Sequence, residues 1–200
     1  SYSYAELYLE ARRVARHLQE QPTPANAEII IQAADNRSFV PMFWGCLVGG
    51  FKPVPLSLGF TDDHRLKLLH IWDLLEHPWL LHNAPESFFP HLTQTATDQQ
   101  MESRVSEIKT RHTTYFGSET CDPIKKLPEY SQDDIVFVQF SSGSTGKPKG
   151  LSITNRNILD NIFYTTKLQK FESNDKFFNW MPLTHDMGLI YYHIQGVVLQ

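Results

Sequence analysis

The side chains with the greatest capacity for chemistry in this chain lie in ten consecutive residues, 141–150. They read Ser-Ser-Gly-Ser-Thr-Gly-Lys-Pro-Lys-Gly, with three glycines, four hydroxyls and two lysines. Glycines let backbone N–H groups turn toward one point and let a bulky anion come close. Hydroxyls donate hydrogen bonds and lysines supply positive charge. This composition therefore predicts a cradle for a polyphosphate group.

The spacing of these residues does not fit two common phosphate loops. A Walker A loop has four residues between its glycines and a Ser or Thr after its lysine. Here Gly143 and Gly146 are separated by only two residues, and Pro148 follows Lys147. The Rossmann spacing Gly-x-Gly-x-x-Gly is not present in this segment either. A Ser/Gly-rich linker is the remaining alternative, and the preceding apolar run and the Lys-Pro-Lys sequence disfavour it.

A second candidate group is His185, within residues 180–189, Trp-Met-Pro-Leu-Thr-His-Asp-Met-Gly-Leu. A lone histidine after an apolar segment is more often structural than functional, so its neighbours must decide its role. Asp186 is expected to cap a helix or brace a loop rather than bind metal. Met187 and Leu189 fit apolar filler as well as a pocket wall. The nine histidines show no HExxH or Cys/His zinc spacing.

Together, these two segments carry a family resemblance. Residues 141–150 resemble the phosphate-binding signature of the adenylate-forming superfamily, which includes acyl-CoA synthetases, luciferases, nonribosomal-peptide adenylation domains and fatty acyl-AMP ligases. Residues 180–189 resemble the acyl-pocket motif that follows it in the same superfamily. The paired forms Gln-Phe-Ser-Ser-Gly-Ser-Thr-Gly and Pro-Leu-x-His-Asp-Met-Gly-Leu are most similar to fatty acyl-AMP ligase domains of polyketide and peptide assembly lines. Weaker similarity in residues 3–18 and 43–55 extends the match over nearly all of the chain.

The resemblance implies an ATP-dependent ligase that activates a carboxylic acid, with a fatty acid as one candidate, as an acyl-adenylate. The acyl group would then pass to the phosphopantetheine thiol of an acyl or peptidyl carrier protein. It implies an acyl or carboxylate pocket that includes His185, Met187 and Gly188. Lys149 is expected to supply the charge in the phosphate cradle, with Lys147 facing solvent. The implied phosphate-binding residues are Ser141, Ser142, Gly143, Ser144, Thr145, Gly146, Lys149 and Gly150.

By the same resemblance, residues 1–200 are the early part of a large N-terminal AMP-binding domain, without its C-terminal lid domain. The acidic Mg²⁺ ligand and the catalytic lysine are then expected beyond Gln200. No catalytic residue or metal ligand is therefore assigned here, and the chain alone is predicted not to adenylate. The bulky residues 191–193, Tyr-Tyr-His, depart from the small residues usual in fatty acyl-AMP ligases. Acyl length, and even a short, aromatic or amino acid substrate, stays open.

Three alternative functions remain at this stage. The first keeps the chemistry and uses free CoA as the acceptor. The second is a non-catalytic scaffold or binding domain with the same fold. The third is a P-loop kinase or ATPase, which the spacing of the glycines disfavours.

Composition excludes some functions and locations. A net charge of -4 and a pI near 6.1 argue against a general nucleic-acid partner. The longest apolar stretch, 39–51, is too short and too rich in glycine to span a bilayer. The chain has two cysteines, Cys46 and Cys121, which stand far apart, and it shows no signal peptide. These features favour a reduced, cytoplasmic protein.

The elements that position these residues can also be predicted. The apolar run 135–140 predicts a buried strand that leads into the glycine-rich segment. Thr154 predicts the N-cap of a helix over 154–169. The alternation of strands and helices before it predicts an α/β fold, a layered sheet-and-helix architecture. The other predicted elements are a helix from a Ser3–Glu6 capping box, strands 28–33, 52–56 (at an edge), 79–82 and 176–180, helices 37–50 and 61–76, a helix or helix pair over 93–109, and a final helix after the His185 motif.

Overall fold

The computed structural model describes residues 3–59, 61–115, 117, 122–141 and 148–200. Within these residues the α-helices are α1 (Tyr4–Glu20), α2 (Asn36–Val48), α3 (Asp62–Trp72), α4 (Phe88–Thr95), α5 (Gln99–Thr110), α6 (Asn155–Gln169) and α7 (Gln195–Val198). A π-helix, Met187–Ile194, runs directly into α7. The strands are β1 (Glu28–Gln32), β2 (Lys52–Pro55), β3 (Pro78–His82), β4 (His112–Thr114), β5 (Ile135–Ser141) and β6 (Lys149–Thr154).

A parallel sheet of four strands, in the order β2-β1-β3-β4, forms the centre of the fold. Successive side chains of a strand point to opposite faces, and the three isoleucines of β1 are fully buried. Ile29 and Ile31 pack on one face with Phe43 of α2. Ile30 packs on the other face with Leu68 of α3. The predicted α/β layering is confirmed, and β2 lies at the edge of the sheet as expected.

The strands β5 and β6 form a separate antiparallel hairpin that lies beside β2. Phe137 enters the same apolar cluster as Ile29 and Ile31. Val138 and Phe140 instead enter the cluster on the opposite face of the sheet. The hairpin is therefore anchored to both halves of the core, which fixes the position of the end that carries its connecting loop.

Two capping predictions are confirmed. The Ser3 N–H donates to the Glu6 carboxylate at 2.7 Å, and the Glu6 N–H donates back to the Ser3 hydroxyl at 3.3 Å. Thr154 forms the corresponding box with Asn157, with backbone-to-side-chain distances of 3.0 and 3.2 Å. Each box satisfies N–H groups that the first turn of a helix leaves without partners. The second one sets the direction in which the chain leaves β6.

Other sequence predictions are wrong or incomplete. Residues 176–180 do not form a strand, and the side chains of Phe178 and Trp180 are 81% and 79% exposed. The α3 helix ends at Trp72 rather than Glu76. The sequence interpretation did not include β4 or β6. The polar region over 93–109 contains one helix, α5, together with only the last three residues of α4, which begins earlier, at Phe88.

Candidate functional site

The hairpin of β5 and β6 frames the glycine-rich segment. Ser141, the last residue of β5, lies opposite Lys149, the first residue of β6. Opposed Cα atoms in an antiparallel pair are about 4.5–5.5 Å apart, so the two ends that residues 142–148 connect lie close together. Five predicted phosphate-binding residues lie outside the described residues, and their roles stay predictions: Ser142, Gly143, Ser144, Thr145 and Gly146.

The described members of this motif have different surroundings. Ser141 and Lys149 are exposed at the loop end of the hairpin, where an anion in solution can reach them. A side chain on Gly150 would place its Cβ 3.1 Å from Cζ of Phe140 and 3.4 Å from Cγ1 of Val138. The glycine thus lets β6 lie close against the aromatic ring. The structure gives Gly150 a packing role, while its predicted contact with phosphate stays a prediction.

His185 lies in a turn closed by short-range hydrogen bonds. Its N–H donates to the carbonyl of Pro182 at 3.0 Å, and its own carbonyl accepts from the N–H of Leu189 at 2.9 Å. Its Nδ1 lies 2.6 Å from Oδ1 of Asp186. Asp186 also accepts from the N–H of Met187 at 2.7 Å and so caps the π-helix, as predicted. The imidazole is 57% exposed, which leaves it open to a ligand.

Gly188 is the point at which the π-helix touches this turn. A Cβ at this position would lie 2.4 Å from the carbonyl oxygen of Pro182 and 3.0 Å from that of Met181. The side-chain amide of Asn179 donates to the Gly188 carbonyl at 3.0 Å and fixes the same contact from the other side. Gly188 therefore shapes the turn. Met187, predicted as part of the pocket, is 51% exposed.

The two motifs meet at the carboxyl end of β5. Nε2 of Gln139 donates to the backbone carbonyl of Thr184 at 2.8 Å. The Thr184 hydroxyl lies 3.1 Å from that of Ser57, which follows β2. Gln139 precedes Ser141 by two residues and Thr184 directly precedes His185. The loop end of the hairpin and the His185 turn therefore both lie at the carboxyl ends of the strands, where α/β proteins bind their ligands.

The bulky residues 191–193 point in different directions. Tyr191 packs against Phe171, and Tyr192 packs against Trp180. His193 is partly buried, and its Nε2 accepts from the indole N–H of Trp44 at 2.9 Å. Burial lowers the pKa of His193 to about 4, so the imidazole is neutral at pH 7. His193 holds the π-helix against α2, a role that the sequence did not reveal.

The comparisons with known proteins decide the family. The profile of the family described as "AMP-binding enzyme" matches residues 1–198, nearly the whole chain. The chain belongs to the AMP-binding enzyme family.

Curated relatives of this family member include ligases that act on fatty acids. The chain is 26% identical over 196 residues to the medium-chain-fatty-acid–[acyl-carrier-protein] ligase JamA of Moorena producens, and the match covers 95% of this chain and 32% of JamA. It is 26% identical over 192 residues to the long-chain-fatty-acid–AMP ligase FadD32 of Mycolicibacterium smegmatis, with coverages of 94% and 29%. The chain thus spans about a third of the length of these relatives.

A solved structure supports the same membership. The chain matches McyG A-PCP complexed with phenylalanyl-adenylate with a TM-score of 0.81 and 27% identity. The match covers 99% of this chain and 31% of that one. The α/β architecture described above is therefore that of the N-terminal part of an adenylation domain.

One cleft of this chain is not lined by the His185 side chain. Its volume is about 490 Å³, and it opens between the start of α1, the start of α2 and the end of the π-helix. Tyr4, Asn36, Leu183 and His193 are among its lining residues, whereas His185 and Met187 are not.

The described residues also bear on metal binding and on membrane insertion. No group of three or more His, Cys, Asp and Glu side chains within them is placed to hold a metal ion. None of the helices in the same ranges combines the length and the apolar character needed to cross a bilayer.

Proposed function

We propose that the protein containing this chain activates a carboxylic acid with ATP as an acyl-adenylate. It then passes the acyl group to the phosphopantetheine thiol of a carrier protein. The observation that carries this proposal is the hydrogen bond from Gln139 to Thr184, at 2.8 Å. It brings the two motifs of an AMP-binding enzyme, the glycine-rich segment and the His185 turn, to one end of β5.

The chemistry required is the displacement of pyrophosphate. A carboxylate oxygen forms a bond to the α-phosphorus, the bond from that phosphorus to its bridging oxygen breaks, and pyrophosphate leaves with the electron pair. The barrier is largely electrostatic, because negative oxygens approach one another and a charged leaving group departs. Lys149, exposed at the base of the segment, would supply positive charge to the leaving group. The hydroxyls of Ser142, Ser144 and Thr145 would donate hydrogen bonds to it.

His185 would orient the substrate carboxylate between the nucleotide and the acyl pocket. A carboxylic acid is already ionised at pH 7, so this imidazole has no proton to remove from the substrate. Its exposed ring and its place beside the strand ends fit a positioning role. Met187 and Gly188 would form the nearby pocket wall and the turn that supports it.

Magnesium would neutralise charge on the triphosphate when it is bound. Lys149 beside the glycine-rich segment is a cation and suits phosphate oxygens, and no group of three or more His, Cys, Asp and Glu side chains among the described residues is placed to hold a metal ion. We therefore assign no Mg²⁺ ligand among them and expect the acidic ligand elsewhere in the protein.

We also propose that residues 1–200 form the early part of a longer adenylation domain and do not adenylate alone. The relatives are about three times as long as the matched region. The exposed rings of Phe178 and Trp180 suit a surface that further protein covers. Pyrophosphate exchange by the isolated chain would contradict this proposal.

The acceptor can be tested directly. The full-length protein would be incubated with ATP, Mg²⁺, a panel of carboxylic acids, and either a holo-carrier protein or free CoA. The proposal expects pyrophosphate exchange that depends on the acid, followed by an acyl thioester on the carrier. Efficient transfer to CoA alone would identify an acyl-CoA synthetase instead. Phosphate release without any acid would indicate the kinase or ATPase alternative.

A further inference from the structure

A chain of polar contacts links the ends of three strands to the His185 turn. Gln32, at the end of β1, donates from Nε2 to the carbonyl of Ser57 at 3.0 Å. The Ser57 hydroxyl lies 3.1 Å from the Thr184 hydroxyl. Gln139 of β5 donates to the Thr184 carbonyl at 2.8 Å. Thr184 is thus held by its side chain from β2 and by its backbone from β5.

The two glutamines in this series of contacts, Gln32 and Gln139, are almost fully buried. Gln32 is 1% exposed and Gln139 is 7% exposed. Each donates through Nε2, but neither Oε1 has a hydrogen-bond partner among the described residues. A buried acceptor without a partner is destabilising, and an apolar residue of the same length would avoid that loss. What the amide of Gln139 adds is the one bond that its Nε2 donates, to the backbone carbonyl of Thr184.

The position of Gln139 in β5 shows which two parts of the site this hydrogen bond connects. A strand rises about 3.3 Å per residue, so Gln139 lies about 6–7 Å along the strand from Ser141, where the glycine-rich segment begins. At the other end of its hydrogen bond, Thr184 is bonded directly to His185. The hydrogen bonds within the turn fix its shape but do not connect it to the hairpin. The bond from Gln139 connects the turn to the hairpin.

We propose that Gln139 is a positioning residue for adenylation. It sets the distance between the glycine-rich segment, which would hold the polyphosphate, and His185, which would orient the carboxylate. This proposal rests on the function proposed above. Gln139 acts through the Thr184 backbone and does not touch the reacting atoms. Ser57 supports the same turn through the Thr184 hydroxyl.

The test uses Gln139→Met in the full-length protein, because methionine keeps the length of the side chain and removes the donor. The matched control is Gln195→Met. Gln195 is fully buried and its amide also makes hydrogen bonds, to Thr165 and Thr166 of α6, away from β5. Both variants lose a buried amide, but only the first disconnects the His185 turn.

The readout is acid-dependent pyrophosphate exchange, with kcat and the KM for ATP measured separately, alongside the melting temperature. A misplacement of about 1 Å costs up to about a hundredfold in rate. We expect Gln139→Met to lower kcat by about ten- to hundredfold and to change KM by less than about threefold. Gln195→Met should stay within about twofold of wild type at temperatures where it is folded. Equal losses of kcat in the two Met variants would reduce Gln139 to a structural residue and overturn the proposal.

A second readout separates this proposal from the proposed function. Amide hydrogen exchange over residues 182–189 does not depend on catalysis. Faster exchange there in Gln139→Met than in Gln195→Met is expected if Gln139 holds the turn, and equal protection would refute that. If wild-type protein gives no pyrophosphate exchange with any acid, the proposed function fails, while the hydrogen-exchange comparison still decides whether Gln139 restrains the turn.

Discussion

Replacement of Gly188 by alanine tests how closely the π-helix must approach the His185 turn. The new Cβ would lie 2.4 Å from the carbonyl oxygen of Pro182, whereas ordinary contact begins at 3.4 Å. The opposing atom belongs to the backbone, so rotation of a side chain cannot relieve the contact. The helix start and residues 181–182 must therefore separate by about 1 Å, the difference between these two distances.

The change in stability caused by Gly188→Ala is the difference between two opposing effects. Overpacking of this kind costs about 1–3 kcal/mol, and alanine returns up to about 1 kcal/mol through its higher helix propensity. The midpoints of these two ranges give a net loss of about 1.5 kcal/mol, which lowers the melting temperature by roughly 3–6 °C in a chain of this size. Because His185 sits three residues before Gly188, the same shift should slow adenylation by about ten- to hundredfold.

The adjoining helix offers a matched control for this change. A Cβ on Gly196 would lie 3.4 Å from Cδ2 of Phe177, which is ordinary contact. Gly196→Ala should therefore leave the melting temperature unchanged or raise it slightly, with pyrophosphate exchange within about twofold of wild type. The reasoning is refuted if Gly188→Ala and Gly196→Ala have the same exchange rate and the same melting temperature.

Three further predictions concern other described residues. Lys149→Ala in the full-length protein should slow adenylation roughly ten- to hundredfold, because a hydrogen bond to a charged group is worth about 1.5–3 kcal/mol; a change below twofold would remove Lys149 from the cradle. Burial lowers the pKa of His82 and His193 from 6.5 to about 4, so the unfolded chain takes up protons first and stability is lost as pH falls from 6.5 toward 4. Melting scans at pH 7 and pH 5 should show this loss, and a smaller one in His193→Gln; identical losses would contradict the assignment. Burial also raises the pKa of the Cys46 thiol, so mass spectrometry should find it alkylated only after denaturant is added, and rapid labelling of the folded protein would show that it is accessible.

Sequence reasoning succeeded where local chemistry decides the structure. The Ser3–Glu6 and Thr154 caps depend on side chains within three residues of each other. The run of isoleucines in β1 is apolar in every position, as a strand covered on both faces must be. The family resemblance succeeded for a related reason, because each of its two motifs is continuous in sequence.

The predictions that were wrong or absent concern segments whose structure depends on residues far away in the sequence. Residues 176–180 have the apolar content of a strand, but the side-chain amide of Asn179 bonds the backbone of Met181 and Gly188, and two rings face solvent. Residues 149–154 contain a lysine, a glycine and a serine that suggest a loop, yet pairing with β5 makes them a strand. The contact from Gln139 to Thr184 spans 45 residues of sequence. A polar amide within an otherwise apolar strand was the one local signal of it.

Oxygen transfer tests the central claim most directly. When a carboxylate attacks the α-phosphorus, one of its oxygens becomes the bridge of the acyl-adenylate and stays on AMP after the acyl group moves to a thiol. The full-length protein would therefore be given an acid labelled with ¹⁸O in its carboxyl group, with ATP, Mg²⁺ and a holo-carrier protein, and the nucleotides would be analysed by mass spectrometry. The account predicts AMP that carries one heavy oxygen and unlabelled pyrophosphate. Label in inorganic phosphate with ADP as the nucleotide product, or unlabelled AMP, would contradict it.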